Sequence, residues 1–200
     1  MALLALFCLV AGVLWGVFGP DLAPVELLVN NADLVLNLLM LLVGVSVGMH
    51  RGLLDRLRQY HIKVLIIPFG VVAGSILGGF AAGLLLGLPI WKGAAVASGL
   101  GWYSLGGVML TELAGPTLGG MAFLSNLMRE LLSFFSIPWI SRHLNYPACI
   151  APAGATSEDT TLSMMVRYTD EETVVLSVFN GALCSALVPV LIRLCWAVAG

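Results

Sequence analysis

Charge is what this sequence has least of. Only 10% of its 200 residues are Asp, Glu, Lys or Arg, and the formal net charge is -2. That balance excludes a nucleic-acid partner, whose phosphates call for a basic surface. Cysteine is sparse as well. Cys8, Cys149, Cys184 and Cys195 lie in or beside apolar stretches, and no pair has the close spacing of a metal or redox motif. They read as buried structural thiols, with no metal and no cofactor implied. No HExxH or comparable nucleophile and base arrangement is present, so enzymatic chemistry is not expected. The first apolar run, Ala2 to Phe18, lacks the basic region of a signal peptide and is long for its apolar core, so it reads as a retained helix.

What the chain does have is apolar sequence. Hydrophobic residues make up 60% of it and the mean hydropathy is +1.01. Several apolar stretches approach the length that crosses a bilayer. The expectation is an all-α integral membrane protein of about seven hydrophobic segments, forming one domain over residues 1–200. The segments run over 2–18, 34–49, 62–86, 90–111, 118–140, 147–166 and 174–199. The loop 50–63 carries Arg51, Arg56, Arg58 and Lys63, whereas the hairpin before it has acids and neither Lys nor Arg. The positive-inside rule makes that loop cytoplasmic and puts the amino terminus on the same side. Lys92 and Arg142 fit this orientation only loosely.

Two segments are interrupted. The fourth contains SGLGWYSLGG (98–107) and the sixth PAGATSEDTTLS (152–163). In lipid, backbone groups must be satisfied within the segment, so Gly-rich and hydroxyl-rich stretches belong inside protein or beside a water-filled cavity. Both stretches therefore read as discontinuous or re-entrant helices of the carrier kind. The alternatives are a small-residue packing face for the first and an exposed loop for the second, with Ser157, Glu158 and Asp159 as a helix start. Trp102 and Tyr103, between glycines in mid-segment, suit either cavity lining or an interfacial anchor, and Glu112 either an interface or a site.

The fifth segment carries the sharper signal. Asn126, Arg129, Glu130 and Ser133 fall at i, i+3, i+4 and i+7 and make one polar stripe on an apolar helix. A charge at mid-helix costs roughly 2.5–3.5 kcal/mol on insertion scales, so two adjacent ones need a wet or protein-lined setting. A transport site and a structural ion pair both meet that need.

The block GWYSLGGVMLTELAGPTLGGMAFLSNLMRELL (101–132), followed by GATSEDTTL (154–162) and VPVLI (188–192), resembles the LysO-type lysine exporters of prokaryotic inner membranes. Weaker similarity reaches back to LLVGVSVG at 41–48. The resemblance implies multi-pass insertion and export of L-lysine and its toxic analogues, driven by a proton or sodium gradient. It also marks Glu130 of the RE pair and Asp159 of GATS-x-D as the functional membrane carboxylates. Three departures accompany it. Additional amino-terminal helices of single-chain members are missing, which implies a split transporter completed by a small membrane subunit or by self-association. Glu158 and Ser163 stand where methionine and proline are usual, and Asn180 stands where histidine is.

Lysine has two ammonium groups and one carboxylate. Asp159 and Glu130 are expected to bind the cationic groups, and Arg129, or a half-helix start at Gly154 to Ser157, the anionic one. The proposed lining also includes Asn126, Trp102, Tyr103, Ser104, Thr156, Ser157 and Thr160, with Glu112, Glu158 and Asn180 as further candidates. Two other functional classes fit the same residues: a sodium/proton or organic-anion carrier on a similar scaffold, and a membrane subunit that transports nothing.

Overall fold

The structure, a computed structural model, describes residues 2–20 and 63–199 together with seven single positions between Val25 and Val45. The expected second segment at 34–49 and the cationic loop at 50–63 lie largely outside the described residues. The chain divides into two compact units, 1–49 and 50–200. In the first, α1 (Ala2–Phe18) coincides with the first apolar run. All described elements of the second are helical, and there is no strand among the described residues.

The second unit is built from two glycine-zipped hairpins. In the first, α2 (Lys63–Leu85) turns through Gly87, whose φ is +67°, into α3 (Ile90–Ala97). A Cβ on Gly79 would stand 2.7 Å from the Cα of Ala94, and one on Gly83 3.2 Å from the Cα of Ile90. The two backbones therefore run antiparallel in direct contact, which only glycine permits. In the second hairpin, α4 (Tyr103–Ala114) reverses at Gly115 into α5 (Pro116–His143). There a Cβ on Gly119 would lie 2.8 Å from the carbonyl oxygen of Gly107. Pro116 opens α5, where its missing N–H costs no hydrogen bond.

The expected fourth segment is thus two helices, α3 and α4, separated by a break at residues 98–102. Leu100, fully buried, has φ +50° and Gly101 has φ +101°. A left-handed leucine is held only where its surroundings over-determine it. Asn126 of α5 does so. Its Oδ1 accepts the N–H of Gly101 at 2.8 Å, while Nδ2 donates to Val96 O at 3.0 Å and Ala122 O at 2.9 Å.

The sixth segment is interrupted too. A 3₁₀ turn (Tyr146–Cys149) leads into one turn of helix, α6 (Ile150–Ala153), and Gly154 then starts a second 3₁₀ turn (Gly154–Glu158) before α7 (Leu162–Tyr168). Ile137, Cys149, Ile150, Ala153, Met165 and Leu176 pack into one apolar cluster beneath it. Helix α8 (Glu171–Ala199) closes the unit. Asp170 caps it by accepting the N–H of Thr173 at 2.9 Å, and these Thr173 hydrogen bonds hold its carboxyl below the usual range. Among the described residues, two helical stretches, Leu65–Leu85 and Glu171–Val198, are long and apolar enough to cross a membrane. Cys149, Cys184 and Cys195 are buried and unbridged, as the sequence suggests.

Three substitutions test this packing. Gly93→Ala presses a methyl against the Gly83 backbone, 2.9 Å from its Cα and N, and should cost about 1–3 kcal/mol as an overpacked contact. Gly78→Ala meets nothing within 4 Å and should melt within experimental error of the parent in detergent. Asn126→Ala strands the buried Gly101 N–H, while Val96 O keeps the Gly99 N–H. It should lower stability by about 1–3 kcal/mol in the same melts; an unchanged midpoint would mean the break holds itself.

Candidate functional site

The two breaks touch. The N–H of Ala155 donates to the carbonyl of Leu100 at 2.9 Å. Both sides of this contact need glycine: Gly154 has φ +61° and its Cβ would run into the Leu100 carbonyl, while a Cβ on Gly101 would lie 3.1 Å from Ala153 O. Interrupted backbone groups inside the unit thereby satisfy one another, as they must away from water.

Arg129 clamps this crossing. Its Nε donates to Pro152 O at 2.9 Å, Nη2 to Ala151 O at 3.1 Å and Nη1 to Ser75 Oγ at 2.8 Å. The guanidinium ties α2, α5 and the end of α6 together, and its charge faces carbonyl oxygens that α6 leaves unbonded. It makes these bonds rather than one to Glu130, its neighbour in sequence. On one side it borders a cavity of about 290 Å³ shared with Ser75, Ser125, Asn126 and the glycines of the first hairpin.

Other predicted residues brace the second break. Asn180 Nδ2 reaches Gly154 O at 2.9 Å and Ser157 Oγ at 3.0 Å. The Ser157 hydroxyl has Ser177 O at 2.7 Å and Gly154 O at 2.8 Å as acceptors. Thr156 donates to Ala153 O at 3.0 Å, and Thr161 to Thr156 O at 2.9 Å. The alternative reading of Ser157, Glu158 and Asp159 as a helix start does not hold. Ser157 is bound backwards into the turn and across to α8, and the helix resumes only at Leu162.

Glu130 is different. It is wholly buried, and among the described residues neither carboxylate oxygen has a hydrogen-bond partner. Asp159 and the Thr160 hydroxyl lie within electrostatic reach of it, and Tyr103 feels both Glu130 and Asp159. Asp159 is exposed and accepts from the N–H and hydroxyl of Thr160. Tyr103 is set edge-on against Phe123, with ring centroids 5.3 Å apart. The structure therefore gathers Tyr103, Glu130, Asp159 and Thr160 into one group around the second break. Trp102 is half-buried in the first break, Ser104 is exposed one residue into α4, and Glu112 is exposed in the last turn of that helix.

Glu158 is not loose. Its Oε1 accepts the Ser185 hydroxyl of α8 at 2.9 Å, and its Cβ occupies the space a side chain on Gly181 would need. Ser185, Gly181, Ser177 and Ser75 were not singled out from sequence. A signal existed for α8: Ser177, Asn180, Gly181, Cys184 and Ser185 fall at i, i+3, i+4, i+7 and i+8, the spacing that marks the fifth segment.

The family described as lysine exporter LysO matches residues 6–196. The lysine exporter LysO of Escherichia coli is 37% identical over 161 residues, covering 80% of this chain and 53% of that protein. A provisionally named lysine exporter of Haemophilus influenzae is 38% identical over 136 residues, 65% of this chain and 69% of its own length. This chain thus spans about half the length of the Escherichia coli relative. No solved structure matches it. With nearly its whole length matched, the chain belongs to the lysine exporter LysO family.

Proposed function

We propose that this chain is the transport core of a secondary active exporter of L-lysine and lysine analogues, exchanging substrate for protons. It forms a single multi-pass domain of about seven segments in a prokaryotic inner membrane, with the two breaks as its discontinuous elements. A small membrane subunit or a second copy completes it. The observation that carries the reading is Glu130, wholly buried with both oxygens unbonded, in a chain whose relatives are named lysine exporters.

A carboxylate shut away from water without a hydrogen bond persists only when a proton or another cation neutralises it. Proton and ammonium are then alternative occupants of one place. Asp159, exposed beside the same turn, meets the arriving ammonium; Glu130 accepts the cationic group as its proton leaves, and the reverse exchange resets the carrier. Thr160 and Tyr103 supply hydroxyls to either state. Arg129 and Asn126 keep the crossing rigid while this happens, so they act as positioning residues.

In proteoliposomes, lysine should drive proton movement through the wild-type chain reconstituted with its completing subunit or as its own oligomer. E130Q and D159N should reduce that movement to the level of empty vesicles. Coupled transport at the wild-type rate in both variants would sink the assignment, and sodium in place of protons would shift it to a sodium-coupled carrier. E130Q should melt near the wild-type temperature, because the amide matches the size of the neutral, protonated acid that the resting site holds. A melt several degrees lower would give Glu130 a structural role instead.

A further inference from the structure

The cavity beside Arg129 has no part in the mechanism above. It encloses about 290 Å³ against α2, α3 and α5, near the lower end of the range for small-molecule sites. Its wall runs from Ser75, midway along α2, to Leu86 and Leu88 at the turn into α3. One end is polar, with Ser75, Ser125, Asn126 and Arg129, and the rest is Gly, Ala, Val, Leu and Met. No carboxylate lines it, so an ammonium group finds no counter-charge there. Neither Glu130 nor Asp159 borders it.

Asn126 is already committed, its oxygen to Gly101 and its amide to Val96 and Ala122. Arg129 is not. Of the five N–H donors of a guanidinium, three are bonded, and the edge formed by Nε and Nη2 is taken by the consecutive carbonyls of Pro152 and Ala151. One N–H on Nη1 and one on Nη2 remain. Carbonyls and a serine hydroxyl satisfy hydrogen bonds but carry no net charge, and no carboxylate bonds to Arg129 among the described residues. A guanidinium keeps its proton, so its complement is an anion. Ser125, one turn earlier on α5, lines the same cavity, and its hydroxyl has no partner among the described residues. Gly78 lines it too, outside the zipped contact, and a Cβ there would meet nothing within 4 Å. We infer that this cavity is a binding site for an aliphatic carboxylate. The carboxylate takes the remaining N–H groups of Arg129 and the Ser125 hydroxyl, and the chain lies along the small and apolar residues toward Leu86. The site is separate from the one built on Glu130 and does not depend on what Glu130 binds. Water-soluble short-chain acids and fatty acids of the bilayer share this chemistry.

The test titrates hexanoate, hexanol and hexylamine against the purified chain in non-ionic detergent, with binding read by calorimetry and by the shift in melting temperature. Hexanoate should bind about tenfold or more tightly than the other two, because only it gives Arg129 a charge-assisted partner. Ser125→Ala should weaken hexanoate about three- to tenfold. Gly78→Leu adds a side chain at the cavity wall, away from every Arg129 bond, and should weaken hexanoate about tenfold or more while lysine binding stays unchanged. Should that variant fail to fold, the three ligands on wild type and Ser125→Ala still decide the question. Affinity should rise about fourfold per methylene from butanoate to hexanoate as the chain is buried. A plateau beyond hexanoate supports a site for water-soluble acids, and a rise that continues to dodecanoate supports a site for fatty acids. Equal binding of hexanoate and hexanol overturns the inference, as does hexanoate binding unchanged by both substitutions. Chloride binding as tightly as hexanoate overturns it in favour of a bare anion site. Lysine binding lost together with hexanoate binding, in a Gly78→Leu protein that melts like its parent, overturns the separation from the substrate site. A wild-type chain that binds hexanoate and not lysine supports the inference and sinks the lysine reading of Glu130.

Discussion

One hydrogen bond organises the second unit, the donation from Ala155 N–H to the Leu100 carbonyl. Each group lies where a helix has been interrupted, and each would be an orphan without the other. The contact is short enough that neither Gly101 nor Gly154 can carry a side chain, and both sit at positive φ. Everything polar nearby can be derived from holding that crossing in place. Asn126 ties the first break to α5, Asn180 ties the second to α8, and Arg129 binds the end of α6 to α5 and α2.

The crossing also explains why adjacent residues of α5 have opposite fates. Successive helical residues point about 100° apart, so when Arg129 turns to the carbonyls of α6, Glu130 turns elsewhere. An internal pair would have offset both charges. Instead the cation is compensated by backbone oxygens and Ser75, and Glu130 lies toward Tyr103, Asp159 and Thr160. Charge separation along a single helix is thus a product of where the break ends.

Much of this was legible in the chain and some was not. The stripe Asn126, Arg129, Glu130 announced itself because polar residues at helical spacing are rare in apolar sequence, and both interrupted segments were visible from their glycines and hydroxyls. The division of labour within the stripe was not visible. Nothing local distinguishes a guanidinium that receives substrate from one that caps a helix, because the acceptors, Ala151 and Pro152, lie more than twenty residues away and offer only backbone atoms. Backbone acceptors leave no mark in sequence. The partners of Ser157 and Glu158 are equally hidden: Ser177, Gly181 and Ser185 lie on α8, whose small polar stripe at the same helical spacing is masked by the length of its apolar run.

The contrast between satisfied amides and an unsatisfied acid bears on whether the unit merely holds its own shape. Asn126 uses its oxygen and its amide nitrogen in three hydrogen bonds, and Asn180 uses its amide to lock Gly154 and Ser157. A fold that provides so fully for its buried amides leaves Glu130, in the same helix one turn from Asn126, without a formed hydrogen bond among the described residues, the Thr160 hydroxyl being its neighbouring donor. A buried polar group left unpaired is a standing cost, and Arg129 was available next to it to remove that cost. Pairing the two would offset both charges but would take Arg129 from Pro152, Ala151 and Ser75. The rigid crossing and the open acid together fit the proposed exchange, in which the acid's cationic partner comes and goes while the crossing holds the place.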